Sequence, residues 1–229
     1  MYCIHCGKQI DEDSIFCQFC GTKFEKSEEQ KPKQEKSDTK EDGIPQAPKT
    51  QVDLLWEKFV EVYDAKDDER RKFNSLSSPF IWELLQRLSL NAYESFLEEN
   101  KEELNKQSYK TIESLKDVYT WSVLGGYRLW MAEALLDEKE EMNKFKSFTL
   151  DKLIESWKKY DFKKAFNEIS NDMGICITRY SNFRINGFLD SVPETKEMSN
   201  ATVEKLKGSL LYVTINGYHA GKIENSFRK

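Results

Sequence analysis

LLYVTINGYHAGKI, residues 210–223, is the stretch whose reading decides the fold, together with two shorter segments upstream, ICITRY (175–180) and FRINGFL (183–189). All three are rich in β-branched and aromatic residues. Asn186-Gly187 and Asn216-Gly217 are dipeptides that favour two-residue hairpin turns, because both positions tolerate positive φ. On this reading the chain ends in a small antiparallel sheet, with a short helix at 201–207 inserted. Cys176, flanked by Ile175 and Ile177, reads as a buried structural thiol. His219, beside a hairpin turn, reads as a surface residue.

Upstream the apolar period is helical. Asp53 reads as the N-cap of LLWEKFVEVYDAK (54–66), in which Leu55, Phe59, Val62 and Tyr63 share a face. Ser78 and Pro79 open a long amphipathic helix reaching about residue 99, since proline suits the first helical turn. Another begins near Ser108 and passes Gly125-Gly126, where close helix packing or a kink is expected. The acidic run at 137–141 reads as a solvated face. Thr149 and Asp161 read as caps of two shorter helices, the second closed by Gly174. Trp56, Trp82, Trp121, Trp130 and Trp157 all fall on helical patterns and read as core.

Ahead of these helices, residues 25–52 carry dense mixed charge, no aromatic residue and Ile44 as the one large aliphatic before Val52. Such a segment cannot offset the entropy of ordering, so it reads as a flexible charged linker. The expected domains are therefore 1–24, 25–52 as linker, and 53–229.

Residues 1–24, MYCIHCGKQIDEDSIFCQFCGTKF, hold four of the five cysteines, as two Cys-x-x-Cys pairs. Each pair places two thiolates on one tight turn, and two such turns supply the four sulfurs of a tetrahedral zinc site. Four thiolates leave no open coordination position, so Cys3, Cys6, Cys17 and Cys20 are expected to hold one structural Zn2+ rather than a catalytic one. Gly7 and Gly21 follow the pairs and permit the backbone to turn its amides toward the sulfurs. Disulfides and an iron centre are the competing readings of the same sulfurs. His5 is not needed by a completed site and reads as a surface residue. A unit this small buries too little apolar surface to fold unaided, which makes metal-binding free energy its folding free energy.

The stretch resembles the small zinc-ribbon domains, whose pattern is an aromatic residue, Cys-x-x-Cys-Gly, an acidic turn and Phe-Cys-x-x-Cys-Gly. Here the pattern stands as Tyr2, CIHCG (3–7), the acidic residues Asp11, Glu12 and Asp13, and FCQFCG (16–21). The resemblance implies zinc binding by the four cysteines and no enzymatic activity, because such ribbons accompany many unrelated domains. The expected fold class is thus a small zinc ribbon plus an α+β, mainly α-helical domain with a small antiparallel β-sheet near the C-terminus.

Composition narrows the function. The chain is 33% charged with a net charge of -5, and the ribbon itself has two lysines against three acids. Nucleic-acid binding draws most of its affinity from clustered basic residues, and no such cluster is present. The longest uncharged run, at 208–221, is too short and too polar for a membrane span. With two histidines and no nucleophile-base pair, phosphate loop or metal-hydrolase signature, no catalytic residue is assigned. No apolar leader precedes Cys3, so a reducing cytoplasm is the expected compartment. The expected function is a zinc-binding, non-catalytic adaptor whose partner is a protein. A nucleic-acid-associated regulator is the second reading and an enzyme without a readable site the third. Ile4 and Phe19, the apolar residues at the x positions of the knuckles, are the candidate contact residues of the ribbon.

Overall fold

The stretch 210–223 is helical throughout. In the computed structural model, which describes residues 49–65, 76–136 and 145–228, it is the second half of a helix spanning Asn200–Asn225. The two segments upstream also form one helix, Asn171–Ser191. Among the described residues there is no strand, and the isolated bridge between Phe145 and Arg228 is the one β-type pairing. The expected C-terminal sheet and the separate helix at 201–207 are therefore corrected: the large domain is all-α where it is described. The ribbon at 1–24, most of the linker and the acidic run at 137–141 lie outside the described residues.

The helices are α1 (Gln51–Tyr63), α2 (Pro79–Glu99), the short α3 (Lys101–Leu104), α4 (Tyr109–Leu136), α5 (Leu150–Lys159), α6 (Phe162–Asn167), α7 (Asn171–Ser191) and α8 (Asn200–Asn225), with a 3-10 turn at Pro193–Glu197 before α8. Their starts are set locally. Thr50 accepts from the Asp53 amide while the Asp53 carboxylate accepts from the Thr50 amide, so Asp53 is the third residue of a capping box and Thr50 the cap. Thr149 and Asp161 cap α5 and α6 as their sequence suggests. Ser170 and Ser199 cap α7 and α8 through the amides of Met173 and Thr202. Gly174 lies inside α7 rather than closing α6.

The 3.6-residue period explains the correction. Met173, Cys176, Ile177, Tyr180, Ile185 and Phe188 are all buried on α7, at spacings of one, three, four and five residues that keep them on one side of a helix. On α8 the same holds for Leu206, Leu210, Val213, Gly217 and Ala220. β-branched and aromatic enrichment reflects side-chain packing as much as backbone preference, and a long helix with a partner on its apolar face overrides it.

α4 and α8 form the most extensive contact in the domain. They run parallel: the Tyr119 hydroxyl donates to Ser209 Oγ at 2.7 Å toward one end, and Gly221 lies beneath the Trp130 indole toward the other. Between these points the two backbones touch. A methyl group on Gly126 would stand 1.8 Å from the Thr214 carbonyl oxygen, and one on Gly217 would stand 2.0 Å from the Val123 carbonyl oxygen. Gly125 lies against the Tyr180 ring in the same way. The glycines are contact surfaces, and α4 passes through its pair as one continuous helix.

α1, α2 and α7 pack around this pair and run antiparallel to α4. Trp82 meets Tyr127 while Tyr93 reaches Ile112, which orients α2. Tyr180 donates to the Trp121 carbonyl at 2.6 Å, joining α7 to α4, and Phe59 of α1 lies edge-on to the Tyr180 ring. The four largest fully buried side chains are tyrosines, and each hydroxyl has a partner: Ser209 for Tyr119, Glu224 for Tyr127, the Trp121 carbonyl for Tyr180 and Glu133 for Tyr218. Burial raises the pKa of all four phenols, so they stay protonated and remain donors.

Two carboxylates from elsewhere in the chain close the N-termini of the central helices. Glu103 of α3 accepts from the Ser199 amide, the Ser199 hydroxyl at 2.8 Å and the Thr202 hydroxyl at the start of α8. Glu194 accepts from the Ser108 amide and from the Ser108 and Thr111 hydroxyls at the start of α4. A negative charge at a helix N-terminus meets unpaired amides and the positive end of the helix dipole. Hydrogen bonds, from Thr202 first for Glu103 and from Ser108 first for Glu194, hold both carboxyl groups below their ordinary pKa. A depressed carboxylate stabilises the fold above its unfolded pKa and loses that contribution as pH falls through the folded value. Glu103→Ala is expected to cost about 1 kcal/mol at neutral pH, the usual size of a lost cap. Denaturant titrations of wild type and variant should converge in acid.

Candidate functional site

The sequence names one chemical site, the four sulfurs of Cys3, Cys6, Cys17 and Cys20, and this site lies outside the described residues. Its donor set is four thiolates in two Cys-x-x-Cys-Gly turns, which suits a soft-ligand tetrahedral metal. Among the described residues there is no group of three or more His, Cys, Asp or Glu side chains able to hold a metal ion.

The remaining titratable candidates are held in the core. His219, expected at the surface, is 1% exposed, packed against the rings of Tyr160, Phe162 and Tyr218. Its Nδ1 stands 3.3 Å from the Tyr160 hydroxyl, and its Nε2 has no hydrogen-bond partner in the structure. Burial, reinforced by the charge of Lys222, lowers its pKa to about 4, so the ring is neutral at physiological pH. Cys176 is buried as its flanking isoleucines suggest, donating to the Val52 carbonyl at 3.8 Å. Burial pushes its thiol up to about 11, which leaves too little thiolate for a nucleophile. Trp56 and Trp130 are core residues, whereas Trp121 is 40% exposed, with the guanidinium groups of Arg128 and Arg184 both within 6 Å of its ring.

The feature that sequence reading missed is an open groove of about 590 Å³ along α7 and α8. Phe166 of α6, Ile169 just beyond it, Ile175 and Thr178 of α7, and Leu211 and Ile215 of α8 line it. Phe166 is 56% exposed and Ile175 41% exposed, so apolar surface is presented to solvent here. Arg179 is the only charged side chain among the described lining residues. It lies over the Trp56 ring, 4.9 Å from its centroid, and its Nε has no hydrogen-bond partner. Its charge also helps to lower the pKa of Asp53, after the hydrogen bond from Thr50, which is the larger cause.

The signal for this groove was available in composition. From residue 173 to 189 the charged side chains are Arg179 and Arg184 alone, and 208–221 has none, in a chain that is 33% charged. Assignment of both segments to strands hid the fact that their bare faces adjoin. Among the described residues no helix is long and apolar enough to cross a membrane.

The comparison with protein families matches residues 2–24 to the zinc-ribbon domain. That match covers both cysteine pairs and agrees with the resemblance read from the motif. No curated protein and no solved structure matches the chain.

Proposed function

From the zinc-ribbon match over residues 2–24 we propose that this chain is a zinc-binding, non-catalytic interaction protein of the cytoplasm. One structural Zn2+ is held by the thiolates of Cys3, Cys6, Cys17 and Cys20, and the helical domain presents the partner-binding surface. The observation that carries the reading is the family match, because it rests on the four residues whose chemistry selects the metal. The metal supplies folding free energy to a unit too small to fold otherwise.

A protein partner is favoured over nucleic acid by the groove. Its described lining mixes apolar side chains with Ser170, Asn171, Thr178 and Asn182 and has a single charged residue, Arg179, which suits protein contact better than a phosphate backbone. Metal analysis of protein purified without added metal should give one zinc per chain, and Cys17→Ser should reduce this toward zero. A content near zero in the wild type, or one unchanged by Cys17→Ser, overturns the proposal.

A further inference from the structure

We propose that the groove along α7 and α8 is the docking site of the chain's own zinc ribbon, with Ile4 and Phe19 against its aliphatic lining and the acidic turn at 11–13 near Arg179. The inference rests on the ribbon reading above and adds an occupant to the groove.

Connectivity is the first support. The chain enters the domain against α7, where the Val52 carbonyl meets the Cys176 thiol, one residue from Ile175 in the groove lining. Trp56 of α1 carries the guanidinium of Arg179, so the first helix borders the groove directly. The 24 residues at 25–48 separate the ribbon from this point. Fully extended they reach about 80 Å, and as a flexible coil they would average about 27 Å. Either length brings the ribbon to the groove, at an effective concentration on the order of millimolar for a linker of this kind. A weak contact is populated under those conditions, whereas a free partner would need to bind far more tightly.

Charge and apolar surface supply the second support. Among the described residues no acid lines the groove, and its one charge is positive in a chain of net charge -5. The ribbon carries its acids together, at Asp11, Glu12 and Asp13, and has apolar residues at knuckle positions where a metal site requires only thiolates and glycines. An apolar contact flanked by one acid–arginine pairing gives the interface an orientation. A docked ribbon also covers Phe166 and Ile175, the exposed apolar groups that otherwise face water. Any partner of either surface must then compete with the contact.

The test uses the full chain with cobalt(II) in place of zinc, since paramagnetic cobalt broadens the NMR signals of nearby methyl groups. A four-thiolate cobalt absorption spectrum establishes loading. The methyl signals of Ile175, Leu211 and Ile215 should lose intensity selectively relative to Leu90, which is exposed on α2. The loss should be independent of protein concentration, and Phe19→Ser and Arg179→Glu should each restore the signals with cobalt still bound. If the cobalt spectrum is present but the groove methyls are affected no more than Leu90, docking is overturned and the ribbon reading stands. If the same selective loss appears when isotope-labelled zinc protein is mixed with unlabelled cobalt protein, the occupant is a second copy and the proposal fails. If the thiolate spectrum itself is missing, the metal reading falls and the docking with it.

Discussion

Gly217→Ala is expected to destabilise the helical domain by about 3 kcal/mol, the upper end of the usual range for a core position that cannot accommodate an added group. The added methyl would sit 2.0 Å from the Val123 carbonyl oxygen, a backbone atom that no rotamer change can move aside. α4 and α8 would have to separate, loosening the contact on which the domain is built. Gly126→Ala should behave alike, because its methyl meets the Thr214 carbonyl oxygen at 1.8 Å. Gly187→Ala provides the opposite result from the same Asn-Gly dipeptide. Nothing lies within 4 Å of a methyl group there and the residue is inside α7, so alanine should stabilise by about 0.5–1 kcal/mol. In a hairpin turn both substitutions would be strained by positive φ. Chemical denaturation of the three variants therefore separates glycine as packing surface from glycine as turn former. Equal losses at 187 and 217 would contradict the helical assignment.

Glu224→Ala is expected to cost about 3 kcal/mol, the scale for leaving buried donors without their acceptor. Glu224 is fully buried near the end of α8 and accepts from the Ser78 amide at 2.6 Å and the Tyr127 hydroxyl at 2.7 Å. Ser77 Oγ stands 2.7 Å from the same hydroxyl, so one carboxylate ties the start of α2 to α4 and α8. Burial raises its pKa above the ordinary 4.5, against the opposing hydrogen bonds from Ser78 and Tyr127 and the charge of Arg228. The sign follows from which form the fold prefers. A carboxyl raised in the folded state binds its proton more readily there than in the unfolded chain. Its contribution is fully present below 4.5 and is lost as pH rises through the folded value. Glu224→Gln removes this titration while keeping an acceptor for the Ser78 amide, and Tyr127 can turn its hydrogen toward Ser77. The difference in unfolding free energy between wild type and Glu224→Gln should shift in favour of wild type as pH falls toward 4.5. A pH-independent difference would show that Glu224 does not titrate on folding. Asp53, Glu103 and Glu194 act in the other direction, since their lowered values remove stability in acid.

The zinc-ribbon pattern was legible in the sequence because it is local. Two Cys-x-x-Cys-Gly motifs carry residue type, number and spacing within two dozen residues, and the family match at 2–24 recovers the same stretch. Helix starts at Pro79, Leu150 and Phe162 were legible for a similar reason: caps and first-turn residues act within four positions. The two Asn-Gly pairs misled because a dipeptide states only what a backbone can do. Whether Gly217 forms a turn or a contact surface depends on Val123, some ninety residues away, and whether Val213 and Ile215 alternate or spiral depends on α4 lying alongside. His219 likewise became a core residue only when Tyr160 and Phe162 arrived from the junction of α5 and α6. The groove exists only because α7 and α8 bring together two faces that carry Arg179 as their one charged lining residue among those described. The sequence by itself determined the zinc-ribbon pattern and the helix starts ahead of residue 170, where the governing interactions span a few residues. Tertiary structure decided helix over strand in the last third and the position of the groove, because burial against a distant partner outweighs the small backbone preferences of the residues involved.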